Sequence, residues 1–383
     1  MKIVYYYDAI ARLGGVERIY VEKMNYLAEQ YNQEVILLTT CQGNHPFTYP
    51  LSNKVIHIDL GIRFHTKYQY SLIKRLFMGW KMDNEFRLKL KNTINDIAPD
   101  IIVATNIYAA DSICNLNCKA KKIIESHIAR NSKGIDGIHR NKTHEFLRKI
   151  KIQRYNQTIE RKSDAVVTLT HGDAKEWNAK NIITIPNIID ITHNQSYSKL
   201  TNKIALFAGR FSYQKGLERM LEAWKIVINK RNDWVLKLVG EGEQKKVLIE
   251  QCKMLGIEKT VIFKETTKNM MEEYRNASMF LMTSRYEGLP MVLLEAISFG
   301  VPCVSFNCPH GPADIIKNGE NGILVENESI EEFANAILKL IDDEDLRKKM
   351  GKAAIESSKD YLPERIMPQW IDLFNKLTTD NIQ

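Results

Sequence analysis

Two carboxylates eight positions apart, Glu287 and Glu295, flank the turn Gly288-Leu289-Pro290 and the apolar helix start Met291-Val292-Leu293-Leu294. Eight residues of mostly helical chain make about two turns. One acid therefore stands at the mouth of the turn and the other a short way down the helix, a pairing that suits a ligand rich in hydroxyl groups. Gly288 lets the backbone approach a bound group closely, and Pro290 suits a first helical turn. Main-chain amides that open a helix form an anion site. The same stretch also reads as a capped helix with a surface acid on each side.

Cations that fit such an anion stand in a second stretch, Gly209-Arg210-Phe211-Ser212-Tyr213-Gln214-Lys215-Gly216, which leaves a strand and enters a helix. Arg210 and Lys215 bracket that helix start. Charge-assisted hydrogen bonds contribute about 1.5–3 kcal/mol each, enough between them to hold a diphosphate. Near the N-terminus, Gly14-Gly15 lie between a β-rich run and a helix. The dinucleotide fingerprint G-x-G-x-x-G is incomplete there, which disfavours nicotinamide or flavin binding. The pair brings a helix N-terminus close to a ligand or makes a tight turn and nothing more. His127 follows a short apolar run at the carboxyl end of a strand, where it either meets a ligand as a hydrogen-bond donor or satisfies the strand end.

The elements that must position these residues are short apolar runs, as expected of parallel strands covered on both faces. In the first half they are Ile3–Tyr7, Val35–Thr40, Val55–Ile58, Ile101–Ala104, Lys122–Glu125, Ala165–Leu169 and Ile182–Ile185. The second half restarts the pattern with Ile204–Ala208, Trp234–Val239, Val261–Phe263, Met279–Met282, Cys303–Phe306 and Ile323–Val325. Helical segments lie between them, the longest at 72–97 and 142–161. Leu217, Met220, Leu221, Trp224, Val227 and Ile228 form a helical stripe, and Thr170-His171-Gly172-Asp173 reads as a capping box. Gly240-Glu241-Gly242 is a further turn of close backbone approach. Strand, glycine turn, helix is the opening of a doubly wound unit whose ligands bind at the carboxyl ends of the strands.

A chain of 383 residues, 44% hydrophobic and 26% charged, suits two soluble domains of ordinary size. The polar stretch 193–198 is the predicted linker, which divides the chain into 1–194, 195–362 and a last helix within 363–383. The start Met1–Asp8 lacks an apolar signal region, and no apolar run is long enough to span a bilayer, so a cytoplasmic protein is expected. Six cysteines without matched pairs fit buried thiols in a reducing compartment better than a zinc site. The net charge of +8 is concentrated. Lys74, Arg75, Lys81, Arg87, Lys89 and Lys91 are interleaved with Leu76, Phe77, Trp80 and Phe86. Arg140, Lys142, Arg148, Lys149, Lys151, Arg154, Arg161 and Lys162 form a second cluster. Both fit a face against anionic lipid or an anionic substrate, and both fit a solvated helix surface. Without a recognition motif, nucleic acid is not indicated.

Taken in order, Leu13-Gly14-Gly15-Val16-Glu17-Arg18, Gly209-Arg210 with Lys215-Gly216, Gly240-x-Gly242, Glu287-Gly288-Leu289-Pro290 with Glu295-Ala296, and Asn318-Gly319 with Asn321-Gly322-Ile323-Leu324-Val325 resemble the retaining nucleotide-sugar glycosyltransferases of family 4. Phe306-Asn307-Cys308-Pro309-His310-Gly311-Pro312 is similar to the subgroup of amylovoran-type exopolysaccharide galactosyltransferases. The resemblance implies the α/β GT-B fold, two facing doubly wound (Rossmann-like) domains, with the acceptor on the first and the donor on the second. The C-terminal helix would cross back to the first domain.

The resemblance also implies a diphosphate against Arg210, Lys215 and the amides of Met291, Val292 and Leu293. It puts ribose hydroxyls on Glu295, the transferred sugar on Glu287 and His127, and Gly14-Gly15 over the diphosphate or acceptor. Gly288, Leu289 and Pro290 complete the donor loop. The implied reaction moves a hexose or N-acetylhexosamine from a UDP-sugar to a polyprenyl-diphosphate-linked glycan, with no metal and no cofactor, at the inner face of the membrane. Two other readings share the architecture: a catalytically silent binding module of a glycan-assembly complex, and a sugar-nucleotide epimerase. The acidic run Asp342-Asp343-Glu344-Asp345 is expected to be an exposed turn rather than a metal site.

Overall fold

The computed structural model describes all residues except 13, 108, 133–141, 190–195, 268, 327–328 and 380–383, with 142–144 described as backbone only. Leu13, Arg140 and the first part of the predicted linker therefore lie outside the described residues. Two all-parallel sheets organise the rest. The first contains β1 (Lys2–Tyr7), β2 (Glu34–Thr39), β3 (Ile56–Asp59), β4 (Ile101–Thr105), β5 (Lys121–Ser126), β6 (Ala165–Thr168) and β7 (Ile182–Thr184), in the order β3-β2-β1-β4-β5-β6-β7. The second contains β8 (Ile204–Ala208), β9 (Val235–Val239), β10 (Val261–Lys264), β11 (Met279–Met282), β12 (Cys303–Phe306) and β13 (Gly322–Val325), in the order β10-β9-β8-β11-β12-β13. Each predicted apolar run forms a strand, with its ends displaced by at most one residue.

The two sheets share one winding rule. Strand order reverses between β1 and β4 in the first and between β8 and β11 in the second. Such switch points open a crevice at the carboxyl ends of the strands, because the following helices go to opposite faces. The runs are continuous rather than alternating because both faces are covered. Ile3, Val4 and Tyr5 are fully buried, as are Met279, Phe280 and Leu281. The helix Leu217–Ile228 buries Leu217, Met220, Leu221, Trp224 and Val227 of its predicted stripe against the second sheet, and Ile228 is half-buried.

The last helix, Pro363–Thr379, follows the second sheet in sequence but packs on the first. Ile366, Met367, Trp370, Leu373, Phe374 and Leu377 enter the core that contains Tyr5, Tyr20 and Met24. Its apolar face has no place in the second domain and fills the first. The helix Leu72–Ile97 behaves differently. Of its apolar residues only Phe86, Leu90 and Ile94 are buried, while Leu72, Ile73, Leu76, Phe77 and Trp80 are exposed. Among the described residues no helix is long and apolar enough to cross a membrane.

Several local expectations have definite outcomes. Thr170 Oγ1 accepts from the Asp173 amide at 3.2 Å, which is half a capping box. The Asp173 carboxylate instead accepts from the Arg130 amide at 2.8 Å and from Trp177 Nε1 at 3.2 Å. The acidic run is held by protein partners: Asp343 caps the helix Glu344–Ser358 through the Leu346 amide, Glu344 pairs with Lys348 one turn on, and Asp342 pairs with the distant Arg231. All six cysteines are unpaired, and four of them are buried.

Candidate active site

The carboxyl ends of the two sheets face each other across one cleft of about 530 Å³, within the range of small-molecule sites. Its walls include Gly14, Gly15 and His127 from the first domain and Arg210, Lys215, Glu287, Leu289, Pro290, Met291, Val292 and Glu295 from the second. These are eleven of the thirteen site residues expected from the sequence. Gly288 and Leu293 are the two that do not line it.

On the second-domain side, the loops that leave β8 and β11 are fastened to each other. The Arg285 amide donates to the Gln214 carbonyl at 2.8 Å, and Gln214 Nε2 donates to the Tyr286 carbonyl at 3.0 Å. Thr283 Oγ1 donates to the Gly216 carbonyl at 2.9 Å. Gly216 adopts φ +60°, and a Cβ there would stand 2.4 Å from the Thr283 carbonyl, so only glycine fits this crossing. The consequence is chemical. Lys215 Nζ meets Glu287 Oε1 at 2.7 Å, with the two side chains 17% and 7% exposed. The residues expected at the diphosphate and at the sugar thus form one ion pair. Arg210 is exposed at the cleft and has no hydrogen-bond or ion-pair partner among the described residues.

The helix Met291–Ser298 opens into the cleft with Pro290 as its N-cap. Here the structure corrects the sequence expectation. The Leu293 amide donates to the Pro290 carbonyl at 3.0 Å, because the first turn tightens, and the Leu293 side chain is fully buried in the core. The amides of Met291 and Val292 remain as the donors available to an anion. One turn along, Glu295 is held at both oxygens. Oε1 meets Arg18 Nη2 at 2.6 Å and Oε2 accepts from the Tyr274 hydroxyl at 2.6 Å. Burial opposes the Arg18 charge, but Glu295 and Glu22 more than offset it and raise its pKa. Burial, reinforced by Glu295, raises the Tyr274 pKa, so its hydroxyl stays a donor.

On the first-domain side, Gly14 caps the helix Gly15–Gln30, whose N-terminus also opens toward the cleft. His127 sits just beyond β5, its backbone fixed by Asn106 Oδ1, which accepts from the His127 amide at 3.1 Å. The imidazole Nε2 meets Glu125 Oε2 at 3.0 Å. Gly288 does approach a neighbour closely, but that neighbour is protein: a Cβ there would lie 2.7 Å from the His127 carbonyl. The glycine therefore serves the closeness of the two domains. Two further contacts cross between them, Glu176 to His310 Nε2 at 2.9 Å and the His171 amide to Asp314 Oδ1 at 3.1 Å.

Sequence reasoning gave no role to Arg18, Tyr274 or Glu125, nor to Asn187, Thr266 and Thr267, which also line the cleft. Arg18 had a usable signal, since it lies one turn into a helix whose start faces the cleft. Tyr274 had none, because it acts through Glu295, distant in sequence. The one signal for Glu125 was its place two residues before His127, since its other partner, Lys23, is also distant. The assembled cleft presents two cations, Arg210 and Lys215, and two helix N-termini to an anion, with carboxylates placed for hydroxyl groups.

Residues 189–357 match the family described as glycosyl transferases group 1. The chain is 32% identical over 385 residues to the amylovoran biosynthesis glycosyltransferase AmsD of Erwinia amylovora, covering 98% of this chain and 99% of that one. It is 26% identical over 94% of each chain to a Campylobacter jejuni α-1,4-N-acetyl-D-galactosaminyltransferase, whose name specifies a diNAcBac-PP-undecaprenol-linked substrate. The S. aureus TarM structure solved with UDP superposes with a TM-score of 0.76 at 16% identity, over 98% of this chain and all of that one. Sucrose-phosphate synthase from Thermosynechococcus elongatus superposes with a TM-score of 0.80 at 18% identity over 99% of each. By sequence along nearly its whole length, and with the GT-B fold of two facing Rossmann-like domains, the chain belongs to the group 1 glycosyltransferases.

Proposed function

We propose that the protein is a retaining transferase of family 4 that moves a hexose or N-acetylhexosamine from a UDP-sugar to a polyprenyl-diphosphate-linked acceptor during surface polysaccharide assembly. The observation that carries this reading is the anion-binding wall of the cleft, where Arg210, Lys215 and the amides of Met291 and Val292 converge between Glu287 and Glu295. A diphosphate on that wall has fixed positive charge around it as the glycosidic bond to phosphate lengthens, and such preorganised charge stabilises a departing nucleoside diphosphate. Glu295 receives the ribose hydroxyls while Arg18 and Tyr274 hold it still. Glu287 and His127 face the sugar from opposite domains. Attack by the acceptor hydroxyl from the face the diphosphate leaves gives retention without a covalent intermediate.

The names of two proteins similar to this chain support the substrate classes: TarM was solved with UDP, and the Campylobacter enzyme is named for a lipid-linked glycan. No metal is required in this reading, since side chains and amides supply the charge, and activity should persist in excess chelator. The protein works at the inner face of the cytoplasmic membrane. Ile73, Leu76, Phe77 and Trp80 stand exposed beside Lys74, Arg75 and Lys81 on the first domain, a pattern that complements an anionic lipid surface. The test is release of nucleoside diphosphate from a panel of UDP- and GDP-sugars with lipid-linked acceptors. Turnover of a UDP-sugar with retained configuration is expected, and no release from any pairing overturns the proposal.

A further inference from the structure

Behind His127, away from the donor loops, lies a charged pair that the transfer chemistry described above does not use. Lys23, on the helix Gly15–Gln30, and Glu125, the penultimate residue of β5, are 1% and 0% exposed. Lys23 Nζ donates to Glu125 Oε2. Its ammonium lies 4.3 Å from the Trp370 ring centroid, 5.3 Å from that of Tyr20 and 5.9 Å from that of Tyr5. Trp370 arrives on the C-terminal helix, so the crossing helix completes the aromatic cage around this cation. Taking such a pair out of water is costly, and apolar residues of similar volume often serve stability as well or better. The pair therefore has a cost that packing alone does not explain.

What Glu125 touches supplies the explanation. The same Oε2 lies 3.0 Å from Nε2 of His127, whose side chain is 2% exposed. Burial by itself would raise the Glu125 pKa, but Lys23 and His127 more than offset it and leave it below the ordinary carboxylate value. An ionised carboxylate only accepts hydrogen bonds, so the ring nitrogen facing it carries the proton. Nδ1 of His127 has no hydrogen-bond partner among the described residues. Tyr20 packs its ring edge against the imidazole with centroids 5.8 Å apart. The charged groups that share the cleft with His127 are Glu287, Lys215, Arg210, Glu241 and Glu295.

We propose that Glu125 is a positioning residue for the transfer reaction: it fixes the His127 proton on Nε2 and leaves Nδ1 as an unprotonated acceptor for a hydroxyl of the bound sugar, while Lys23, held by the C-terminal helix, keeps Glu125 ionised. This sharpens the role read from the sequence, where His127 is a donor. A carboxylate that orients a histidine through its far nitrogen acts on geometry and tautomer without touching the substrate. The catalytic consequence rests on the proposed transferase function. The tautomer does not, and it can be measured without any substrate.

The test uses the full-length protein labelled with 15N at histidine, with the His127 signals identified by their loss in His127→Asn. The ring of the donor-free protein, once titrated to its neutral form, is expected to carry its proton on Nε2 alone. A neutral ring protonated on Nδ1, or exchanging equally between both nitrogens, overturns the proposal whatever the variants do. The double variant Lys23→Met/Glu125→Leu replaces the pair with apolar residues of similar size, so folding does not depend on a stranded charge. It should lose the single tautomer and lower kcat by about tenfold to a hundredfold, as loss of an orienting partner does. It should also shift the pH profile of kcat while the KM for donor changes little. Lys23→Met/Glu125→Gln, in which an amide oxygen still accepts from Nε2, should restore most of both. A folded Lys23→Met/Glu125→Leu variant with the wild-type tautomer, kcat and pH profile overturns the proposal. If wild-type protein turns over no donor at all, the transferase reading fails while the ring measurement still decides the tautomer.

Discussion

Replacing Lys215 with methionine keeps most of the side-chain volume and removes the cation from Glu287. At 2.7 Å the pair's gross Coulomb attraction is about 6 kcal/mol with an effective dielectric of about 20. Desolvation of Glu287 offsets a large part of that. Breaking a buried pair by deleting one partner costs about 3–5 kcal/mol, chiefly because the other charge is stranded. Lys215 is 17% exposed and the cleft admits solvent, so a value at or below the lower end of that range, about 2–3 kcal/mol, is expected for stability. Glu287→Gln leaves a neutral amide and should cost less. In the double variant Lys215→Met/Glu287→Gln the stranded charge is gone, so much of the lost stability should return. The double-mutant cycle should then show coupling of about 1–3 kcal/mol. Binding of UDP should respond differently. Loss of one charge-assisted bond to phosphate removes about 1.5–3 kcal/mol, or about 10- to 150-fold in Kd, and the double variant should not recover it. Thermal unfolding and titration calorimetry on the four proteins separate the two effects. Strictly additive stability losses, or UDP affinity unchanged in Lys215→Met, would refute the reasoning.

Three other perturbations test the elements that hold the cleft in shape. Gly288→Ala puts a Cβ 2.7 Å from the His127 carbonyl, so the domains must part slightly. The cost should be about 1–3 kcal/mol, read as lower kcat/KM in a protein that still folds, and full activity would show that the close approach does not matter. Trp370→Ala removes the largest side chain that the C-terminal helix buries in the first domain and should destabilise by about 3–5 kcal/mol in denaturant unfolding. Glu273 tests linkage. Burial pushes its carboxyl pKa up, but Lys264 at 2.5 Å and Lys237 at 3.1 Å bring it below the ordinary value of 4.5. Its contribution is therefore present above that value and lost as pH falls through the lower folded value. The melting-temperature gap between wild type and Glu273→Gln should be constant at neutral pH and close on acidification, whereas a gap that widens in acid contradicts the sign.

The sequence by itself determined the elements and their order. Apolar runs such as Met279–Met282 can be read because a strand buried on both faces needs only its own residues to be apolar. The stripe from Leu217 to Val227 can be read because helical periodicity is local. The ordered glycine, cation and carboxylate motifs likewise mark loops at strand ends, and a doubly wound sheet places those loops together at its crevice. Tertiary structure alone decided which charges meet. Lys215 pairs with Glu287 because the loops after β8 and β11 are fastened through Gly216, Thr283 and Gln214. Glu295 is held by Arg18 of the facing domain, the Leu293 amide is spent inside its own helix, and Gly288 yields space to a carbonyl rather than to a ligand. Glu125 reads from sequence as one more residue of a buried strand, and only packing shows the histidine on one side of it and a caged lysine on the other. The physical reason is range. Backbone conformation follows from neighbours a few positions away, whereas the partner of a buried charge is set by which elements the fold brings within hydrogen-bond distance.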